Sequence, residues 1–170
     1  MKIYLKDLNI EDASIYWGLR LEALRTYPEA FGSSFEDAVQ TPINEIKDRI
    51  RKDNNNCILG AFTPDTQLVG MARFTREQGL KLNHKGMVTG VYVSSQYRGR
   101  GIAKDLIKEI LSRGKDIEGL KQINLSVVST NSVAVKLYKG LGFETYGIEK
   151  NALIYNGQGY DEKLMVYFFE

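Results

Sequence analysis

Apolar and polar positions alternate along the chain in runs that change period several times. Ile3 and Leu5 alternate with polar neighbours, the period of two that a half-buried strand imposes. Asn9 follows as a helix cap, with Glu11 and Asp12 in the first turn where the helix dipole favours acids. Ala13, Trp17, Leu21 and Leu24 keep helical spacing up to Pro28, and Thr41-Pro42 opens a second helix with Ile43, Ile46 and Ile50 on one face. Asn54 to Asn56 end that pattern. Cys57 to Thr63 and Gln67 to Arg76 read as the strands of a hairpin joined at Pro64-Asp65-Thr66, and after a polar stretch Met87 to Val93 resumes as a strand.

The second half alternates strand with helix. Ile102, Leu106, Ile110 and Leu111 keep a helical period as far as Gly114 and Gly119, and Gln122 to Val128 then alternates as a strand. Asn131-Ser132 precedes Val133, Leu137, Tyr138 and Leu141 at helical spacing, closed by Gly142. Phe143 to Ile148 and Lys163 to Phe169 are the last strands; the mixed residues between them carry a turn signal at Asn156-Gly157. The order is β-α-α-β-β-β-α-β-α-β-β.

Consecutive strands favour antiparallel pairing, whereas the strand-helix-strand run through residues 87 to 128 needs a crossover and therefore a parallel pair. The expected class is α/β with α+β character: a mixed, mostly antiparallel central sheet of about seven strands with helices on both faces. One domain over residues 1–170 is expected, since domains run to roughly 100 to 200 residues and no repeat, low-complexity tract or linker interrupts the pattern.

Composition narrows the function classes. Apolar residues at 43% and charged residues at 26% are ordinary for a soluble globular protein. A formal charge of +2, with basic residues scattered among acidic ones, predicts no nucleic-acid partner. The single cysteine, Cys57, excludes an internal disulfide, and with the single histidine, His84, it leaves no ordinary His/Cys metal site, so no metal is expected. Charge interrupts Met1 to Asp7 before an apolar signal could form, and no stretch approaches the ~20 apolar residues of a membrane span. The expectation is a cytoplasmic protein with no membrane partner.

Candidate chemistry concentrates where strand meets helix, at Tyr97-Arg98-Gly99-Arg100-Gly101-Ile102-Ala103. A helix N-terminus presents backbone N–H groups without intrahelical partners and a partial positive charge, which together attract anions. Gly99 and Gly101 remove side chains that would hold a phosphate away, and Arg98 and Arg100 carry guanidinium donors. A lone G-x-G is equally compatible with a strand-to-helix turn that binds nothing. The P-loop pattern fails for want of Gly-Lys-Ser/Thr, and the dinucleotide fingerprint fails at Lys104, where it needs a third glycine.

The segment resembles the glycine loop of the GNAT superfamily of N-acetyltransferases, which reads Gln or Arg, two residues, Gly, one residue, then Gly or Ala; Arg98, Gly101 and Ala103 satisfy it. A second family stretch is met by Asn131, Ala134, Leu137, Tyr138, Leu141, Gly142 and Phe143. The strand order also looks like that family's acyl-CoA N-acyltransferase fold. The resemblance implies acetyl-coenzyme A as cosubstrate and direct acetyl transfer to a primary amine, of a small molecule or a peptide, in a ternary complex. It implies that the backbone of Val91 and Val93 pairs with the pantetheine arm. The amides of Arg98, Gly99, Arg100, Gly101, Ile102 and Ala103 would take the pyrophosphate, Asn131 would contact the arm, and Tyr138 would assist the departing thiolate.

The same resemblance places the acceptor against the first two helices and the loop Tyr27 to Asp37, where Phe31 and Glu36 are candidate contacts suited to a cationic amine with an apolar portion. Some relatives carry a glutamate on the strand before the glycine loop, but Met87 to Val93 contains no acid. Glu22, Glu36 and Glu77 are the candidate bases, and His84 lies in a polar loop. A non-catalytic acetyl-coenzyme A sensor and a nucleotide-binding redox domain are the competing functions. The oligomeric state, a homodimer included, is left open.

Overall fold

The computed structural model describes residues 1–51 and 53–170. Its strands are β1 (Tyr4–Asp7), β2 (Asn56–Phe62), β3 (Leu68–Arg76), β4 (Lys85–Val93), β5 (Gln122–Val128), β6 (Glu144–Tyr155) and β7 (Gln158–Phe168). They form a single 7-stranded sheet in the order β1-β2-β3-β4-β5-β7-β6, antiparallel throughout except for β4 against β5. The mixed, mostly antiparallel sheet expected from the element order is the one observed.

Helices α1 (Ala13–Thr26), α2 (Phe35–Ala38) and α3 (Ile43–Ile50) precede the first hairpin, and α4 (Ile102–Gly114) and α5 (Ser132–Gly140) flank β5. They sort onto two apolar layers. Leu106, Ile107, Ile123 and Met165 belong to the layer under α4 and α5; Leu24, Ile50, Ile58 and Met71 belong to the one under α1 and α3. Successive residues of β2 alternate between the layers, Ile58 to one and Leu59 to the other, as the pleat requires. A buried hydrogen bond from Trp17 Nε1 to the Ala38 carbonyl, 2.9 Å, ties α1 to the α2 segment. Ile43, expected on the apolar face of its helix, is instead 44% exposed at the first turn, while Ile46 and Ile50 are buried.

Two departures from the sequence pattern matter. The short α2 lies within what reads as a connector, started by Ser34 Oγ accepting from the Asp37 N–H at 3.1 Å. The last two strands are also longer than their apolar runs, because β6 is mostly exposed and so carries little alternation. Asn156 and Gly157, at φ 50° and 76°, make the two-residue turn that joins them. No helix among the described residues is long and apolar enough to cross a membrane.

The feature that positions a site is the parallel pair. β4 and β5 pair only from Lys85 to Met87 against Gln122 to Asn124. Beyond that point β4 carries a bulge: Met71 pairs with Tyr92 but Arg73 pairs with Thr89, leaving one extra residue in β4, with Gly90 at φ 61°. A bulge bends its strand and increases its twist. β5 meanwhile stays with β7 along Gln122 to Val128. The ends of β4 and β5 therefore separate, and each leaves an unpaired backbone edge toward the gap.

Candidate active site

The gap opens into a cavity of ≈ 830 Å³ bounded by the diverging strands, the start of α4 and one face of α5. Ser94 N–H donates to the Val69 carbonyl at 2.9 Å, so strand alternation turns the N–H and C=O of the preceding Val93 away from β3. Val91, Val93 and the β5 residues Ser126 to Val128 all line the cavity. An extended ligand laid there would meet strand-like donors and acceptors.

At the end of β4 the chain turns through Ser95–Tyr97 and enters α4 with Gly101 as N-cap, which has no side chain to satisfy the first amides. None of the six N–H groups from Gly99 to Lys104 donates to any described residue. Gly99 and Gly101 sit at φ 73° and 80°, the left-handed region that disfavours a side chain, and a Cβ on either would meet nothing within 4 Å. Bare amides, open space and a helix N-terminus together fit a bound pyrophosphate.

The two loop arginines differ from the role their charge suggests. Arg98 folds back onto the protein: Nε donates to the Val93 carbonyl at 3.0 Å, Nη1 donates to the Tyr27 hydroxyl, and the guanidinium lies 4.4 Å from the Tyr27 ring centre. It clamps the loop to β4, occupying the one Val93 group that faces the gap as an acceptor. Arg100 rests over Tyr97 at 5.5 Å and does not line the cavity.

Across the cavity, Asn131 caps α5, its Oδ1 accepting from the Ala134 N–H at 3.2 Å, and this fixes where the helix begins. Tyr138 follows on the inner face, 6% exposed and packed edge-on against Phe143 with ring centres 5.8 Å apart. Its hydroxyl bonds to no described residue, and its ring lines the cavity. Burial pushes its pKa up to about 12, so Tyr138 is a neutral O–H donor at any physiological pH.

A second, smaller cavity of ≈ 350 Å³ lies on the α1 side of the sheet and shares Ala30, Phe31, Val88, Thr89, Gly90 and Ser126 with the first. The two meet at the β4 bulge. Three arginines border it. Arg20 Nη2 donates to Ser33 Oγ at 3.4 Å and its guanidinium lies 4.9 Å from the Phe31 ring, but Nη1 is buried without a partner, beside Gly90. Burial first, and then the charges of Arg49 and Arg73, hold the Arg20 pKa below the usual arginine value. Arg73 Nε donates to Asn56 Oδ1 at 3.0 Å, and Arg49 pairs with Glu45 at 2.6 Å.

Of the other residues singled out from sequence, Phe31 borders both cavities and Glu36 borders neither, being exposed on α2. Glu22 accepts from the Tyr92 hydroxyl and from Ser94 Oγ, both at 2.9 Å, one hydrogen bond from a cavity-lining residue. Glu77 and His84 stand at the opposite end of β4, where the Glu77 N–H donates to Lys85 and the His84 carbonyl accepts from Lys121. Tyr27, Tyr92 and the three arginines carry no local sequence signal, because each is scattered among ordinary helix and strand positions.

Comparison with known proteins agrees with this architecture. The sequence profile of the acetyltransferase (GNAT) family matches residues 17–143, and the chain belongs to that family. Among curated proteins it is 37% identical over 118 residues to a protein of Mycobacterium leprae (strain TN), covering 69% of this chain and 31% of that one. It is 33% identical over 76 residues to the L-amino acid N-acetyltransferase AaaT of Escherichia coli (strain K12), covering 45% of this chain and 47% of that one. The chain spans less than half the length of these curated relatives. Among solved structures, a GNAT family acetyltransferase from Streptococcus pneumoniae superposes with TM-score 0.88 at 21% identity, covering 99% of this chain and 100% of the other, a likeness of fold.

Proposed function

We propose that residues 1–170 act as one N-acetyltransferase domain that moves an acetyl group from acetyl-coenzyme A to a primary amine by direct transfer. The observation that carries this reading is the run of six uncommitted amides from Gly99 to Lys104 at the mouth of a cavity with strand edges on both sides. Such an arrangement suits a ligand that ends in a pyrophosphate and continues as a narrow amide-bearing arm. Gly99, Arg100, Gly101, Ile102 and Ala103 would hold the pyrophosphate through their backbone, for Arg100 through the amide and not the guanidinium, whereas the Arg98 amide already donates to the Ser95 carbonyl at 3.4 Å and would have to be shared. The edges at Val91 and Val93 would hold the arm, with the Asn131 side-chain amide beside it.

When bound, acetyl-coenzyme A supplies an activated thioester. The chain's own residues then have three tasks. The cavity walls exclude water from the reacting carbonyl and hold it near the gap between β4 and β5, which raises the effective concentration of the amine. The amine nitrogen enters neutral, gains the acyl carbon and loses a proton, while the carbon–sulfur bond breaks and the sulfur leaves with the electron pair. Tyr138 donates a hydrogen bond to that sulfur. With the Tyr138 pKa at about 12 and an ordinary thiol at about 8.5, full proton transfer from Tyr138 would be uphill by roughly 5 kcal/mol, so the proton stays on the phenol oxygen and the thiolate takes its proton from solvent or from the nitrogen that becomes the amide.

Two curated relatives act by name on L-amino acids and on spermine or spermidine, so relatives of this chain take amine acceptors with and without a carboxylate. Free-thiol release from acetyl-coenzyme A across a panel of amines tests the reading. Turnover with at least one amine supports it; tight coenzyme A binding with no turnover for any amine would make the protein a sensor instead.

A further inference from the structure

We infer that the acceptor is an amine carrying an anionic group, a carboxylate or a phosphate, held by Arg20, Arg49 and Arg73 in the smaller cavity. This rests on reading the larger cavity as the acetyl-coenzyme A side, which leaves the smaller one, joined to it at the β4 bulge, for the acceptor. The loop acid Glu36, which would have suited a cationic amine, lies outside both cavities.

The charge pattern carries the argument. Of the three arginines only Arg49 has a carboxylate partner among the described residues, Glu45. Arg20 and Arg73 are held by neutral groups, Ser33 and Asn56, and Arg20 Nη1 has lost water without gaining any acceptor. A desolvated guanidinium without a counter-ion is unfavourable, and its planar fork matches carboxylate and phosphate oxygens. An anion delivered by the acceptor would answer that demand at the point where the cavities meet. A polyamine would bring its own cations against three guanidiniums.

Glu162 is the single carboxylate among the described residues lining the smaller cavity, and it forms no ion pair with any of the arginines. It is the group available to pair with the acceptor's nitrogen while that is still protonated, separate from the anion site; the nitrogen gives up that proton before it attacks. Tyr16, Trp17, Ile58 and Met71 add apolar and aromatic surface to the same cavity. A cavity of ≈ 350 Å³ is at the small end of ligand sites, which suits an amino-acid-sized molecule.

The test is steady-state thiol release from acetyl-coenzyme A with matched pairs: L-methionine and L-methionine amide, L-phenylalanine and its amide, O-phosphoethanolamine and ethanolamine, with spermidine alongside. The anionic member of at least one pair is expected to exceed its neutral partner in kcat/KM by about thirtyfold, the effect of one charge-assisted hydrogen-bonded pair. The pair that shows it separates carboxylate from phosphate. Arg73→Gln, which keeps a donor for Asn56, should reduce that preference about tenfold while leaving the KM for acetyl-coenzyme A unchanged. Arg20→Lys, which keeps the charge but not the fork, should reduce it less.

Turnover of spermidine or of the neutral members in preference to every anionic one overturns this inference and leaves acetyl transfer standing. An anionic preference undiminished in both variants overturns the assignment to these arginines. Thiol release with no member of the panel, while coenzyme A still binds, overturns the acetyl-transfer reading and this inference with it.

Discussion

The two cavities that meet at the β4 bulge are built from different materials. The larger offers its uncommitted polar groups mainly from backbone: amides at the start of α4, the free edges of β4 and β5, and glycines that leave them uncovered. The smaller is made of side chains brought from α1, α3 and β3, with Arg20, Arg49 and Arg73 converging from positions far apart in the chain. Backbone sites demand local spacing, since a loop must deliver consecutive amides to one ligand. Side-chain sites demand only that distant elements pack at the right angle. On the proposed function, cofactor recognition can therefore be read from a few contiguous residues, and acceptor recognition cannot.

Tyr138→Phe should separate the two regions most sharply. It removes one hydroxyl from a buried ring without opening a cavity, so kcat should fall by about 10 to 100-fold while coenzyme A affinity measured by calorimetry stays within about twofold. Unaltered turnover would remove Tyr138 from the chemistry and leave it as a core aromatic packed on Phe143. Next in size, Gly101→Ala strains a residue at φ 80° and places a methyl in the open space before the amides. Coenzyme A affinity should weaken about tenfold, the loss of one or two charge-assisted bonds, and discrimination between acceptors should not change. A shift in acceptor preference would show that the cavities are energetically coupled.

Asn131→Ala should have a smaller effect and a mixed one. The cap on α5 contributes about 1 kcal/mol, so Tm should drop by roughly 2 to 4 °C, with a modest rise in the KM for acetyl-coenzyme A if the same side chain also touches the arm. A lower Tm with unchanged KM would confine Asn131 to the cap.

The smallest effect is confined to alkaline solution. Burial raises Tyr138 from 10.0 to about 12, so the folded state holds that proton more tightly than the unfolded chain. Its contribution to stability is complete below pH 10.0 and is lost as the pH climbs through about 12. Tyr16 and Tyr92 are shifted in the same direction, chiefly by burial. Thermal unfolding followed against pH should therefore show stability falling above about pH 10, and Tyr138→Phe should flatten the fall without altering the curve near neutrality.

Much of this was open to reading along the chain. The seven strands, the two helices flanking β5 and the class of sheet follow from apolar period and turn residues, because strands and helices impose those periods locally. What failed did so for identifiable reasons. β6 and β7 reach toward Asn156-Gly157 through residues whose exposure leaves no apolar rhythm to detect. Ile43 carries the right spacing, but the first turn of its helix projects beyond the core. Arg98 stands in the glycine-loop pattern, yet its guanidinium is committed to Val93 and Tyr27, a contact set by how α1 ends against β4.

By itself the sequence determined that a glycine-opened helix follows an apolar strand, and that Asn131 and Tyr138 stand on a second helix at the family's spacing. These are short-range relations, fixed by turn and capping chemistry. Only the tertiary structure decided that β4 and β5 part after Met87, that the Gly90 bulge joins two cavities there, and that Arg20 is left with a buried, unpartnered nitrogen beside it. Those facts depend on sheet twist and on the packing of α1 against β4, which no local run of residues encodes.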